Sequence, residues 1–179
     1  MAISLLKEKD TPFLDVGCGS AGITLALAQL GFSNLTAIDC SKNALDAMAS
    51  QMKEKGLTGK IRLLNCDILD SEGEKYIENT FIWHDRFTFH FFVKEDEVRA
   101  YSELAKRKVL PNGFVILTTY SPEGPDTCSG LKVMRYDHFQ LQSVFRNGFD
   151  LVQYRYGDHI APTGAKKPYV TVILKKTSS

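Results

Sequence analysis

Short unbroken apolar runs alternate along this chain with stretches whose apolar residues recur at helical spacing. The first run, residues 13–16, is followed by Ile23, Ala26, Leu27 and Leu30, which fall on one face of a helix that Gly31 closes. A second run, residues 35–38, ends at Asp39, and Ser41 stands as N-cap of a helix that turns Leu45, Met48 and Met52 inward and stops at Gly56. Residues 61–64 form a third strand, ending near Asp67. A fourth is expected over 81–83, where the aromatic run Phe87, Phe89, Phe91 and Phe92 blurs its end. Val98, Tyr101, Leu104, Ala105 and Val109 mark an amphipathic helix, broken by the turn Pro111-Asn112-Gly113 before an apolar strand at 114–117. A Pro/Gly-rich loop, 121–130, leads to a short helix near 138–145, then to β-like runs at 151–156 and 169–174 that read as a closing hairpin.

Strand and helix in strict alternation predict an α/β fold, one open and mainly parallel sheet with helices on both faces and a ligand crevice at the carboxyl ends of the strands. With 179 residues, 44% apolar and 24% charged, the chain fits a single domain with a continuous core. A formal net charge of +1 and no dense Lys/Arg run give no electrostatic footprint for nucleic acid or an anionic membrane. No apolar run reaches the roughly 18 residues that span a bilayer, and Met1 to Pro12 lacks the apolar centre of a signal peptide, so a cytoplasmic location is the default expectation. Cys18, Cys40, Cys66 and Cys128 have no C-x-x-C spacing and read as reduced thiols, and no His/Cys/Asp spacing supports a metal site.

The chemistry concentrates where the first strand runs into Gly17, Gly19 and Gly22, a G-x-G-x-x-G turn that opens a helix and lets the backbone approach a nucleotide. Asp15, two residues ahead of the first glycine, would repel a pyrophosphate there but favour a ligand carrying ammonium and sulfonium charges, which prefers S-adenosylmethionine over a nicotinamide cofactor. Asp39, seventeen positions after Gly22, suits the two hydroxyls of a ribose, and Asp67 with the amide of Ile68 suits adenine. Each aspartate alone could be a turn former or cap; three at consecutive strand ends point to a nucleoside-type cofactor.

On these residues the sequence resembles the class I S-adenosylmethionine-dependent methyltransferases, with DVGCGSAG as the glycine motif, AIDCS as the ribose-binding acid and NCDIL as the adenine-binding acid. The resemblance implies a Rossmann-like three-layer αβα sandwich with a seven-stranded sheet whose last strand is antiparallel. It also implies a single domain over 1–179, and cofactor contacts at Asp15, Gly17, Cys18, Gly19, Asp39, Cys40, Asp67, Ile68 and Trp83. Trp83-His84-Asp85-Arg86 with Phe89-His90-Phe91, and SPEGPDTCSGL further on, look like a bacterial-type small-molecule subgroup. The Asp-Arg pair is similar to that of thiopurine methyltransferases, whereas GFSNLTAID is similar to elongation-factor-type protein-lysine methyltransferases. Two departures stand out. Thr80-Phe81 replaces the family's aromatic-Asp pair, and twelve residues precede the first strand where the family usually has cover helices, which implies a more open pocket and weaker cofactor binding.

Methyl transfer from a sulfonium asks a protein mainly for alignment, worth about 7 to 11 kcal/mol, and for a base only where the nucleophile arrives protonated. His84, Asp85 and His90 are the candidate bases and Arg86 the candidate clamp for an anionic substrate; Asp85 as N-cap paired with Arg86 is the plainer reading. Cys128 has no histidine spaced to activate it, and His159 reads as a solvated loop residue. The expected function is methyl transfer to a small-molecule acceptor. A protein-lysine acceptor and a catalytically degenerate nucleoside-binding domain are the alternatives, with a nicotinamide oxidoreductase a distant fourth.

Overall fold

The computed structural model describes residues 5–20, 22–161 and 164–177; Ala21 of the glycine motif and the first four residues of the leading segment lie outside them. The chain runs β1 (Phe13–Val16), α1 (Ile23–Gln29), β2 (Leu35–Asp39), α2 (Lys42–Glu54), β3 (Arg62–Asn65), α3 (Ser71–Glu74), β4 (Thr80–Arg86), a single 3-10 turn (Phe89–Phe91) and α4 (Glu95–Lys108). It continues through β5 (Val109–Tyr120), a hairpin of β6 (Thr127–Cys128) and β7 (Leu131–Lys132), α5 (His138–Phe145), β8 (Phe149–Ile160) and β9 (Lys166–Lys176).

One sheet has the order β3-β2-β1-β4-β5-β9-β8. The first five strands are mutually parallel and β9 is antiparallel to both β5 and β8, so β8 runs with the other five. The strand order reverses at β1 and β4, and their carboxyl ends diverge into the crevice. Side chains sort by alternation. Leu14, Val16, Trp83, Val115 and Leu117 bury against α4 and α5 through Tyr101, Leu104, Leu141 and Phe145. Phe13, Ala37, Ile82 and Ile116 bury against α1 and α2 through Leu25, Leu27, Leu45 and Met48. Burial of β1 and β2 on both faces is why they read as near-continuous apolar runs, whereas β3, at the sheet edge, has no buried residue.

Ser41 caps α2 as expected, its Oγ accepting from Ala44 N–H at 3.3 Å, and Leu45, Met48 and Met52 all point inward. The inward face of α1 differs from expectation: Thr24, Leu25, Leu27 and Ala28 are buried, while Ala26 is exposed and Leu30 is 52% exposed. The helix stops at Gln29, so Leu30 belongs to the turn that Gly31 (φ 87) reverses rather than to the packed stripe. The Pro111-Asn112-Gly113 turn is an excursion inside β5, where Thr80 pairs with Val109 and pairing resumes at Ile82 with Phe114. The departure at Thr80-Phe81 is locally supported, since the Thr80 hydroxyl donates to Pro12 O at 3.0 Å and Phe81 packs edge-on against Phe114. Among the described residues no helix is long and apolar enough to cross a membrane.

Candidate active site

Beyond Val16 the chain turns through Gly17 (φ 63) and Gly19 (φ 62), a left-handed region that favours glycine. A Cβ on Gly17 would overlap the Thr88 side chain, so the absence of a side chain lets this loop pass against the segment after β4. Asp39 braces the loop from β2: Oδ2 accepts from Gly19 N–H at 2.9 Å and Oδ1 from Ser41 N–H at 2.8 Å. Asp67 organises the next loop by accepting from Leu69 N–H at 2.9 Å. Between these loops lies an open cavity of about 520 Å³. Val16, Gly17, Gly19, Ile38, Asp39 and Cys40 line one side; Cys66, Asp67 and Ile68 line another; Phe87, Thr88, Phe91, Phe92, Ser129 and Leu131 close it.

Asp15 is not among the lining residues. It is 3% exposed and wholly engaged beneath the glycine turn, with Oδ1 2.8 Å from His84 Nδ1 and Oδ2 accepting from Thr24 Oγ1 at 2.5 Å. Parallel register sets the pair, because Asp15 on β1 stands opposite His84 on β4. His84 also stacks on Phe13, so its imidazole serves the wall of the turn. Cys18 is buried here as well. Burial, with the negative charges of Asp15 and Asp39 adding to it, pushes its thiol up to about 12 and keeps it protonated.

Asp85 and Trp83 point into the core under α4. Trp83 Nε1–H donates to Tyr101 Oη at 2.8 Å, and Tyr101 donates in turn to Asp85 Oδ2 at 2.5 Å. Asp85 Oδ1 accepts from Thr88 N–H at 3.0 Å and Phe89 N–H at 3.2 Å, which hangs the turn after β4 from a fully buried carboxylate. Burial pushes Asp85 up to about 6 despite these bonds. A folded-state value above the unfolded 3.9 means that the stabilising contribution is complete below about pH 4 and is lost as pH rises through 6, on the order of 3 kcal/mol. The stability of the wild type relative to Asp85→Asn is therefore expected to fall by about that amount between pH 4 and 7 in urea titrations; an unchanged gap would refute the assignment.

Arg86 is exposed, its guanidinium 5.0 Å from the Phe87 ring centroid. Phe87 itself holds φ 67, a backbone region that bulky residues rarely adopt. Its ring meets His90, Tyr120, His159 and Tyr169 at centroid distances of 5.7, 5.1, 6.1 and 6.1 Å. His159 is thus half-buried in β8 rather than a solvated loop residue, because that strand continues to Ile160. His90 is completely buried, and burial alone lowers its imidazole to about 4.

The β6–β7 hairpin was not visible in the sequence pattern. Its turn, Ser129 (φ 52) and Gly130 (φ 81), lets Ser129 and Leu131 reach the cavity, and Met134 N–H donates to His90 O at 2.8 Å just beyond it. The Ser-Gly pair was the available signal, a two-residue turn with both φ positive. Cys128, next to that turn, accepts from Tyr120 Oη at 3.5 Å.

Residues 13–113 match the methyltransferase domain family. The chain belongs to the class I S-adenosylmethionine-dependent methyltransferases. It is 30% identical over 151 residues to EEF1A lysine methyltransferase 2 of Danio rerio, covering 82% of this chain and 58% of that protein. It is 26% identical over 149 residues to the Homo sapiens protein of the same name, covering 80% of this chain and 56% of that one. The chain thus spans under two thirds of the length of either relative. A solved S-adenosylmethionine-dependent methyltransferase from Methanosarcina mazei shares the fold at a TM-score of 0.82 and 16% identity, over 99% of this chain and 98% of that one. The methyltransferase cofactor, S-adenosylmethionine, suits this cavity: Asp39 ends β2 and Asp67 follows β3, Ile38, Ile68 and Leu131 supply apolar wall, and Gly19 faces open space, with no atom within 4 Å of where a Cβ would stand.

Proposed function

We propose that this chain transfers the methyl group of S-adenosylmethionine to the amine of a lysine side chain in a protein, rather than to the small molecule that the second half of its sequence favours. The observation that carries the reading is a second cavity of about 360 Å³, lined by Ser121, Glu123, Tyr156, Gly157, Asp158, Pro168 and Tyr169. It abuts the cofactor cavity through the contact of Tyr169 with Phe87. The carboxylate of Glu123 beside the tyrosine rings suits a cationic side chain approaching from solvent, whereas Asp158 is already paired with Lys166 at 3.5 Å. The identity to two lysine methyltransferases supports the same acceptor.

In this reading Gly17 and Gly19 cradle the methionine end, Asp39 and Cys40 hold the ribose, and Asp67 and Ile68 hold adenine. Asp15 and His84 support the glycine turn from below, while Trp83, Tyr101 and Asp85 fix the turn that bears Phe87. When bound, the cofactor supplies a methyl group already activated on sulfur, so the protein's task is to aim the acceptor and exclude water. Arg86 favours a second reading, a small carboxylate acceptor, since its exposed guanidinium stands beside Phe87. Incubation with tritium-labelled S-adenosylmethionine separates the two, with poly-L-lysine, n-butylamine, thiophenol and benzoate as parallel acceptors. Label on the amines is the expected result; label confined to benzoate or thiophenol overturns it.

A further inference from the structure

Among the described residues, the only buried side-chain polar atoms without a hydrogen-bond partner are Nδ1 and Nε2 of His90. A neutral imidazole carries one donor and one acceptor, and leaving both unmet in an apolar setting is costly. The surroundings are apolar: Phe91, Tyr120 and Phe87 pack on the ring at centroid distances of 4.7, 4.9 and 5.7 Å. The neighbouring positions Phe87, Phe89, Phe91 and Phe92 are all phenylalanine, so a phenyl ring would suit this packing, yet a histidine stands here. A second cost lies alongside, since Phe87 holds a left-handed backbone conformation. Two of the three rings packed on the imidazole, Phe87 and Phe91, also line the cofactor cavity. The rings of Phe87 and Phe91 thus stand between the unpartnered imidazole and that cavity.

We propose that His90 binds the methyl acceptor, taking a hydrogen bond from the N–H of an uncharged amine once the Phe87 ring gives way. This rests on the reading of the larger cavity as the methyl-transfer site and names the form of acceptor that the site selects. A carboxylate against the amine would hold it as ammonium, which has no lone pair to react. The rings packed on His90 bring no carboxylate, and its imidazole stays neutral at physiological pH because burial opposes its charging. Glu123, which lines the smaller cavity with Tyr169, thus collects the cation, and the apolar subsite admits it after the proton has left to solvent. The nitrogen lone pair then forms the N–C bond as the C–S bond breaks and its electron pair passes to sulfur. The methylammonium product sheds its extra proton to water, and His90 holds a hydrogen bond throughout without taking the proton.

The test uses the full chain saturated with S-adenosylhomocysteine, with n-butylamine as the probe at pH 9, followed by calorimetry and by nitrogen spectra of 15N-histidine-labelled protein. In the wild type, addition of the amine is expected to move one ring-nitrogen resonance of His90. His90→Phe is expected to weaken amine binding about tenfold, the equivalent of one hydrogen bond, while His90→Gln, which keeps an acceptor, stays within about twofold. S-adenosylhomocysteine should bind all three proteins equally. Equal amine affinity in wild type and His90→Phe, or an unmoved His90 resonance, overturns the proposal. Should His90→Phe fail to fold, the wild-type spectra decide alone. Failure of the wild type to bind S-adenosylhomocysteine would instead overturn the reading of the cavity itself.

Discussion

Asp39→Ala is expected to weaken S-adenosylmethionine binding by roughly 100-fold or more while the chain still folds. Its carboxylate accepts from Gly19 and Ser41 N–H, and these two bonds fix its orientation at the cavity. Each oxygen keeps lone-pair capacity for a hydroxyl, and a hydrogen bond to a charged group is worth about 1.5–3 kcal/mol, so losing two removes at least 100-fold in affinity. Releasing Gly19 adds to the loss, because the glycine turn must then be ordered by the ligand itself. The fold should survive, since Asp39 is half-buried at a strand end and water can reach the amides it leaves. Calorimetry with S-adenosylmethionine and S-adenosylhomocysteine, with NAD as control and thermal melting to check folding, tests this. Normal binding by the variant would show that the ribose is held elsewhere.

The order of elements was legible because strands buried on both faces and helices buried on one leave different periods in the sequence. The ends of β4 were not. Residues 84–86 read as His-Asp-Arg, which breaks an apolar run, yet His84 and Asp85 are interior residues satisfied by Asp15 and by Tyr101 across long sequence separations. Nothing local announces a partner 69 positions away. The three aspartates could be picked out, since Asp15 lies within an apolar run, Asp39 directly follows one and Asp67 stands three residues past another. Their different environments could not: Asp39 and Asp67 border the cavity, whereas Asp15 is enclosed beneath it. Trp83, expected at the cofactor, lies instead in the core, because alternation along β4 turns it toward Tyr101 together with Asp85. The β6–β7 hairpin has strands of two residues each, too short to carry any period.

Tyr101→Phe is expected to cost about 4 kcal/mol of folding stability at pH 7, because one hydroxyl satisfies two buried groups at once. The phenyl ring keeps the packing that Tyr101 makes with Trp83, Phe89 and Phe92, at centroid distances of 5.6, 5.0 and 5.4 Å, so the change isolates the hydrogen bonds. Without the hydroxyl, Trp83 Nε1–H has no acceptor and Asp85 Oδ2 keeps only the Phe89 N–H at 3.1 Å, and both side chains are fully enclosed. An unmet buried neutral group costs about 1–3 kcal/mol, and a hydrogen bond lost from a charged group about 1.5–3 kcal/mol. For a chain of this length that corresponds to a fall of roughly 8–16 °C in melting temperature. The Tyr101 bond is also one of the interactions holding Asp85 down, so its carboxyl should move further above 6 in the variant, and the loss should deepen toward alkaline pH. Urea unfolding at pH 5 and pH 8 measures both effects. A cost below about 1 kcal/mol, the value of one ordinary hydrogen bond, would mean that water or a shifted backbone replaces the hydroxyl. The turn bearing Phe87 and His90 would then not depend on this buried chain of donors.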